Sequence, residues 1–320
     1  MSITLWESAI LKDQDPLKQA VQLAIAKASM IFGFLPFVNQ ATDDNFQWKT
    51  TYSLEDARST FRALNEELTE GSEGYAELEF AMAILGDKAE VDRLMPNGAS
   101  ALAKKLAQKA EGVGFTYNES FIKGSRATDP REFDGLQTLM EEQITSSQTI
   151  TSATSGGSPL SLTVLDAVLD AVRGRNAIFC SADLARKFSA CGRDSSVAGF
   201  VNYEPNDPRV AGRGLGAEIT YYNGIPILPI KGTFNRDDIL PYDEISSVGA
   251  LAQTTSLYVA RLGADGVYGA QDSGVQAHNY GNVQGSVKIK ADVEWVAGMG
   301  VDHPLAVARY KDITDAAIVS

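Results

Sequence analysis

The residues able to perform acid–base, nucleophilic or metal chemistry are few and scattered in this sequence. His278 and His303 are the only histidines among 320 residues, although histidine is the usual acid–base residue near neutral pH. Neither belongs to an HExxH pattern or another metal-ligand spacing. Cys180 lies in an apolar run typical of a buried strand, and Cys191 has no base in its local sequence. These patterns predict no nucleophile and no metal site.

The sequence also lacks the motifs that hold nucleotide phosphates. No GxxxxGK[ST] pattern occurs, and the glycines of residues 212–216 precede a predicted strand, whereas a dinucleotide fingerprint follows one. Adjacent acids such as Glu66-Glu67, Glu141-Glu142 and Asp237-Asp238 point in different directions on a helix or strand, which predicts solvated faces. We therefore expect no catalytic residue and no cofactor. A glycosidase-type pair of distant carboxylates stays an alternative.

The composition is that of a folded chain with an excess of acid. There are 41 acidic and 28 basic residues, which gives a net charge of −13, and hydrophobic residues make up 44%. This length accommodates about two structural units without a disulfide staple. So acidic a chain is poorly suited to bind DNA phosphates. The N-terminus lacks a secretory pattern, and the longest apolar stretch is too short to cross a bilayer, so we expect a soluble protein made in the cytoplasm.

An alternating pattern predicts an aromatic β-hairpin early in the chain. Residues 46–54 and 78–84 alternate with period two, and a largely polar segment separates them. Trp48, Tyr52 and Phe80 lie on the apolar faces of these runs. Because an isolated hairpin is barely stable in water, this aromatic side must rest on a neighbouring chain or on its own domain. The pattern favours neither alternative.

The remaining elements follow from helical spacing, turn signals and one long alternating run. Helical spacing predicts three helices, at residues 16–28, about 99–124 and 160–172. Asn223-Gly224 is a strong hairpin signal between strands at 217–222 and 225–230. Residues 283–297 alternate over a length of roughly 50 Å, well beyond a usual strand. We therefore expect an elongated molecule.

Two short segments in the middle of the chain carry a more specific pattern. ESFIKGS spans residues 119–125, and PREFDGL spans residues 130–136. Further segments follow in order: AIFCSADLARKF, ITYYNGIPILPI, SLYVARLGADGVYG and HPLAVARYKDI. Their order and spacing resemble tailed-bacteriophage major capsid proteins of the Hong Kong 97 type, in which the first two segments end the spine helix and form the turn after it. The fold-defining turn implied by this resemblance contains Gly124, Phe133, Gly135 and Leu136.

The resemblance implies an α+β fold with defined parts. It has an N-terminal arm, an extended β-hairpin loop, a peripheral domain with a long spine helix and a long β-sheet, and an axial α/β domain. The implied boundaries are 1–45 for the arm, 46–86 for the extended loop, 87–159 for the first part of the peripheral domain, 160–270 for the axial domain, and 271–320 for the return strands of the peripheral domain. The arm would lie across neighbouring subunits, and the loop would reach over an adjacent one.

The resemblance also implies a function. The chain would be a major capsid subunit that forms the hexamers and pentamers of an icosahedral shell around double-stranded DNA, in a virion assembled in the host cytoplasm. Its partners would be copies of itself, a portal protein, a separate scaffold and a decoration protein, with no sequence-specific DNA binding and no membrane. Inter-subunit contacts are expected from the loop residues Phe46, Trp48, Tyr52, Arg58, Arg62 and Phe80. The alternatives are an encapsulin-like bacterial compartment shell of the same fold and a carboxylate-dependent hydrolase.

Two departures from some relatives lead to further expectations. The loop tip, residues 55–74, contains no lysine, and Lys49 lies well down the first strand. We therefore expect no covalent links between subunits; ladders on denaturing gels would contradict this. The arm is shorter than a cleaved scaffolding segment, so any scaffold is expected to be a separate protein.

Overall fold

Two β-sheets and six α-helices make up the described part of the chain. The computed structural model describes residues 3–10, 16–40, 42–43, 46–53, 63–65, 67, 74–95, 98–144, 146–193, 201–205, 218–232, 239–249, 252–282, 285 and 287–319. The helices are α1 (Leu5–Ile10), α2 (Pro16–Ala28), α3 (Gly98–Lys123), α4 (Leu136–Glu142), α5 (Leu162–Ala171) and α6 (Ala182–Cys191). The strands are β1 (Ile3–Thr4), β2 (Pro36–Asn39), β3 (Gln47–Ser53), β4 (Tyr75–Asp92), β5 (Thr149–Ile150), β6 (Ala177–Cys180), β7 (Val201–Pro205), β8 (Glu218–Tyr222), β9 (Ile225–Pro229), β10 (Glu244–Ile245), β11 (Ala252–Ala260), β12 (Val267–Asn282), β13 (Lys288–Val301) and β14 (Val307–Thr314).

The first sheet has six strands in the order β1-β2-β12-β13-β4-β3. Its neighbours are antiparallel except β2 and β12, which are parallel. β4 has 18 residues, β12 has 16 and β13 has 14, so β4 spans roughly 60 Å at about 3.3 Å per residue. β13 confirms the predicted long strand with a shift toward the C-terminus. Val293, Trp295 and Ala297 point into the core as the alternation indicated.

Helix α3 lies against this sheet and contacts α2, β4 and β13. Its 26 residues confirm the predicted helix and run through two internal glycines. At Gly114 an added Cβ would lie 2.7 Å from the Cβ of Ala28, so the glycine allows α2 to pack closely. At Gly112 an added Cβ would meet nothing within 4 Å.

An aromatic cluster joins the N-terminal segment to the helix and the sheet. The Tyr117 and Trp295 ring centroids are 5.0 Å apart, those of Phe37 and Trp295 are 5.3 Å apart, and those of Phe32 and Tyr117 are 5.5 Å apart. Burial raises the pKa of the Tyr117 phenol, and its hydroxyl donates to the carbonyl of Gly298 at 3.0 Å. Residues 16–40 therefore pack into their own chain. Contact of the arm with neighbouring subunits stays a prediction.

The second sheet has the order β5-β14-β11-β6-β9-β8-β7, with β10 paired to β11. β5 with β14 and β6 with β9 are parallel pairs, and the others are antiparallel. Asn223 and Gly224 have φ values of 51° and 78°, as a two-residue hairpin requires. This confirms the predicted turn. Leu165 on α5 and Phe188 on α6 are fully buried against this sheet.

Two of the implied domain boundaries cut through continuous strands, 86/87 within β4 and 270/271 within β12. β4 runs without interruption past residue 86, from the hairpin into the long sheet, because its residues pair with β3 at one end and β13 at the other. β14 belongs to the second sheet, between β5 and β11, although residues 271–320 were assigned to the peripheral domain. Chain order is a poor guide here because β14 pairs with strands that come much earlier in the sequence.

Candidate assembly site

The turn after α3 is held by close backbone approaches at two glycines. The amide of Gly135 donates to the carbonyl of Gly124 at 2.9 Å. A Cβ at Gly124 would lie 2.3 Å from the carbonyl oxygen of Phe133, and a Cβ at Gly135 would lie 2.5 Å from that of Ser120. Neither position has room for a side chain, so this sequence can make the turn only with glycine.

Side chains around the turn complete its connections. Phe133 and Leu136 are buried in the main core. The hydroxyl of Thr138 donates to the carbonyl of Gly124 at 2.7 Å. The Arg126 guanidinium donates to the carboxylate of Asp134 at 2.6 Å, and this carboxylate is nearly buried. The turn therefore fixes the direction of α4 relative to the end of α3.

The hairpin formed by β3 and β4 is covered at its base by its own chain. Trp48 and Phe80 face each other across the strands, with ring centroids 5.4 Å apart. Their exposed fractions are 7% and 2%, and both join the main core. Of the two alternatives left open by the sequence, the structure favours the hairpin resting on its own domain. Little of their surface is left to bury, and contact of these two side chains with a neighbouring copy stays a prediction.

The other proposed contact residues of the hairpin differ in position. Phe46 is half-buried with a φ of 57°, a left-handed conformation that is uncommon for a bulky side chain. Tyr52 is half-buried and packs edge-on against His303, with ring centroids 5.5 Å apart. Arg58 and Arg62 lie outside the described residues. Contact of Phe46, Tyr52, Arg58 and Arg62 with another copy stays a prediction.

The outer face of the hairpin is charged and internally paired. The Lys49 ammonium lies 2.5 Å from a carboxylate oxygen of Glu79 and 3.3 Å from one of Glu77. The hydrogen bond from Lys49 lowers the pKa of Glu79 and raises the pKa of Lys49 itself. A lysine must be neutral to act as a nucleophile, so this pairing opposes formation of an isopeptide link at Lys49.

A buried arginine in the second sheet was missed by sequence reasoning. Arg309 on β14 is 2% exposed. Its guanidinium donates to Glu141 at 2.7 Å, to Glu244 at 3.1 Å and to the hydroxyl of Ser256 at 3.0 Å, and it lies 5.6 Å from the centre of the Tyr258 ring. It thereby ties α4 to β10 and β11. The local sequence VARYKDI contains no signal that this arginine is buried rather than exposed.

The described residues offer no assembled catalytic or metal centre. No three His, Cys, Asp or Glu side chains among them are placed to bind a metal ion together. Glu141, one of the adjacent acids in the sequence, is paired with Arg309. The Nδ1 atom of His303 accepts a hydrogen bond from the backbone amide of Leu305 in a turn, at 3.1 Å. Cys180 is buried in β6, as predicted. None of the helices within the described ranges has the length and apolarity of a membrane span.

The described fold combines the 26-residue helix α3, a glycine-locked turn and a sheet of very long strands with a second mixed sheet. No protein-family model matches the sequence, and no curated protein is significantly similar to it. Solved structures are similar in fold. One is the SrpI encapsulin of Synechococcus elongatus PCC 7942, with 13% identity, a TM-score of 0.58, and coverage of 89% of this chain and 88% of that one.

A capsid structure and a phage structure show the same likeness. The capsid of a native GTA particle has 15% identity and a TM-score of 0.57, and covers 90% of this chain and 91% of that one. Microbacterium phage Oxtober96 gives 10% identity and a TM-score of 0.53 with the same coverage. These neighbours are shell proteins rather than enzymes. The chain therefore has the Hong Kong 97-type capsid fold, which confirms the α+β class and the resemblance drawn from the sequence.

Proposed function

We propose that this chain is the major capsid subunit of a tailed bacteriophage, which assembles with itself into the hexamers and pentamers of an icosahedral shell around double-stranded DNA. One observation carries the proposal: the fold is similar to capsid structures over 90% of the chain. Such shells need complementary surfaces rather than a reactive group.

An exposed apolar patch supports self-association. It lies at one end of the long sheet, where the amide of Arg93 donates to the carbonyl of Val287 at 3.0 Å. The patch consists of Leu94, Met95, Tyr280 and Val287, each more than half exposed. Exposed apolar side chains that cluster in this way mark protein contact surfaces. We propose that this sheet-end patch is covered by another copy in the shell.

The charge of the chain supports enclosure of DNA without specific binding. A net charge of −13 gives the chain little affinity for DNA phosphates. A shell whose DNA is packed and later released requires such weak binding. A portal protein, a separate scaffold and a decoration protein belong to this proposal as partners. The site of assembly would be the host cytoplasm and the final location the virion.

An encapsulin-like compartment shell is the second candidate, and the likeness to the SrpI encapsulin favours it as much as the capsid likeness favours the first. A carboxylate-dependent hydrolase is less well supported. Glu141 and Glu244 share one arginine, so both carboxylates are held in a structural ion pair.

Expression followed by electron microscopy and light scattering tests the proposal. We expect hollow icosahedral particles from the chain alone or with a co-expressed scaffold. Nuclease-protected double-stranded DNA in particles from the natural host would favour the capsid, and an enclosed protein cargo would favour the compartment. A chain that stays monomeric at high concentration under all these conditions would contradict both.

A further inference from the structure

A groove of about 400 Å³ separates the end of α3 and helix α4 from the segment that contains β10. The charged and amide side chains that line it are Lys123, Gln137, Glu141, Glu142, Asp243 and Glu244. It lies beside the glycine-locked turn, whose Thr138 also lines it. One wall of the groove comes from α4 and the end of α3, and α3 packs on the first sheet. The other wall comes from the segment that contains β10 of the second sheet.

The groove carries an uncompensated negative charge. Its four carboxylates belong to Glu141, Glu142, Asp243 and Glu244. The cations near them are Arg309, which Glu141 and Glu244 share, and Lys123, whose ammonium is 4.0 Å from Asp243. Glu142 forms no ion pair with any described residue. Four carboxylates beside two cations leave two negative charges to be satisfied from outside.

One wall residue has an unused acceptor. The Glu244 side chain is 9% exposed, and its Oε2 atom accepts from Arg309 and Ser256. Its Oε1 atom is buried and accepts no hydrogen bond from the described residues. A buried carboxylate oxygen without a donor is costly. Glu244 therefore contributes to the lining a carboxylate whose hydrogen bonding is incomplete.

We propose that this groove receives a basic side chain from a second copy of the chain. The inference rests on the proposed self-assembly and names one contact within it. A metal ion fits less well, because the described residues contain no group of three acids, histidines or cysteines placed for coordination and Lys123 already occupies part of the lining. The chain offers exposed cations that form no ion pair with any described residue: Arg93, Lys104 and Arg173.

Substitutions that spare the Arg309 pairing test the proposal. Glu142→Gln and Asp243→Asn remove rim charges from exposed positions, and Glu119→Gln removes an exposed charge of α3 outside the groove. Circular dichroism checks that each variant folds. We expect the critical concentration for assembly to rise about threefold for Glu142→Gln and about tenfold for the double variant, with no change for Glu119→Gln. The difference from wild type should shrink at high salt.

Cryo-electron microscopy of the wild-type particle gives the direct answer. We expect a guanidinium or ammonium group of an adjacent copy in the groove. A solvent-filled groove in a well-resolved shell, or assembly of the double variant at the wild-type concentration, would overturn this inference alone. Assembly that a chelator abolishes through loss of a groove-bound divalent cation would also overturn it. If the wild-type chain forms no particles, the proposed function itself fails.

Discussion

Replacement of a glycine by alanine should have opposite effects at Gly124, in the turn after α3, and at Gly112, inside α3. A Cβ at Gly124 would lie 2.3 Å from the oxygen of Phe133 and 2.5 Å from that of Ser120. Both obstacles are backbone atoms, so the end of the helix and the turn must separate. That movement weakens the hydrogen bonds that the Gly124 carbonyl accepts from Gly135 at 2.9 Å and from Thr138 at 2.7 Å.

The magnitude follows from these losses. Two weakened hydrogen bonds cost about 1 kcal/mol each, and overpacking adds about 1–3 kcal/mol. We therefore expect Gly124→Ala to lower the free energy of unfolding by about 3–5 kcal/mol. Gly112 has nothing within 4 Å of an added Cβ and a helical backbone, so Gly112→Ala should stabilise by about 0.5–1 kcal/mol through helix propensity.

Urea unfolding of unassembled subunits, followed by far-ultraviolet circular dichroism, measures both values. The two variants make the same chemical change, one inside α3 and one directly after its last residue, so Gly112→Ala is a matched control. An unfolding free energy for Gly124→Ala within about 0.5 kcal/mol of wild type would refute the reasoning that this turn excludes a side chain. Reduced assembly of Gly124→Ala subunits at equal stability would instead assign the glycine to a contact between copies.

The remaining predictions concern a buried charge, an exposed charge and the hairpin base. Arg309→Ala leaves Glu244 buried without its cation, so urea unfolding should show that the free energy of unfolding falls by about 3–5 kcal/mol. The double variant Arg309→Ala with Glu244→Leu should recover part of this loss. Equal losses in the single and double variants would contradict the pairing. The hydrogen bond from Lys288 lowers the pKa of Glu90 to about 2 from its usual 4.5, so the stability from this pair is complete above about pH 4.5 and disappears as the pH falls toward 2. Glu90→Gln should flatten the stability curve in that window, and superimposable wild-type and variant curves would disprove it. Trp48→Ala should destabilise the hairpin base by about 3–5 kcal/mol and give soluble subunits that assemble poorly, whereas Trp48→Phe should assemble; an unchanged particle yield for the alanine variant would count against this.

The elements that the sequence predicted well are those whose signals act over short range. Asn223-Gly224 determines its turn because both residues adopt positive φ. The alternation in β13 predicts its buried face because each side chain's direction depends only on its neighbours. The turn at Gly124 could also be located, because the positions that exclude a Cβ carry glycine in the sequence itself.

The features that sequence reasoning missed depend on pairings between distant segments. Residues 16–40 pack on α3 and the long sheet, and no local pattern distinguishes such a surface from one that covers a neighbour. Arg309 is buried because Glu141 and Glu244 meet it from segments 168 and 65 residues away. For the same reason, the sequence could not show whether a neighbouring chain or its own domain covers the aromatic face of the hairpin. Trp48 and Phe80 are apolar in either case.

The low sequence identity to the shell proteins of the same fold, 10–15%, has a physical reading. A shell interface above about 1,000 Å² can be stable through many weak contacts, and no single side chain must then be retained. What the architecture does require is backbone geometry: the 26-residue helix, the close approach of Gly135 to Gly124, and strands long enough to carry the sheet-end patch away from the second sheet. The groove beside the turn combines fixed geometry with charge, because the glycines fix the direction of α4, which contributes Glu142 to a lining that also contains Asp243. A contact placed there would transmit the fixed angle of the turn directly to a neighbouring copy.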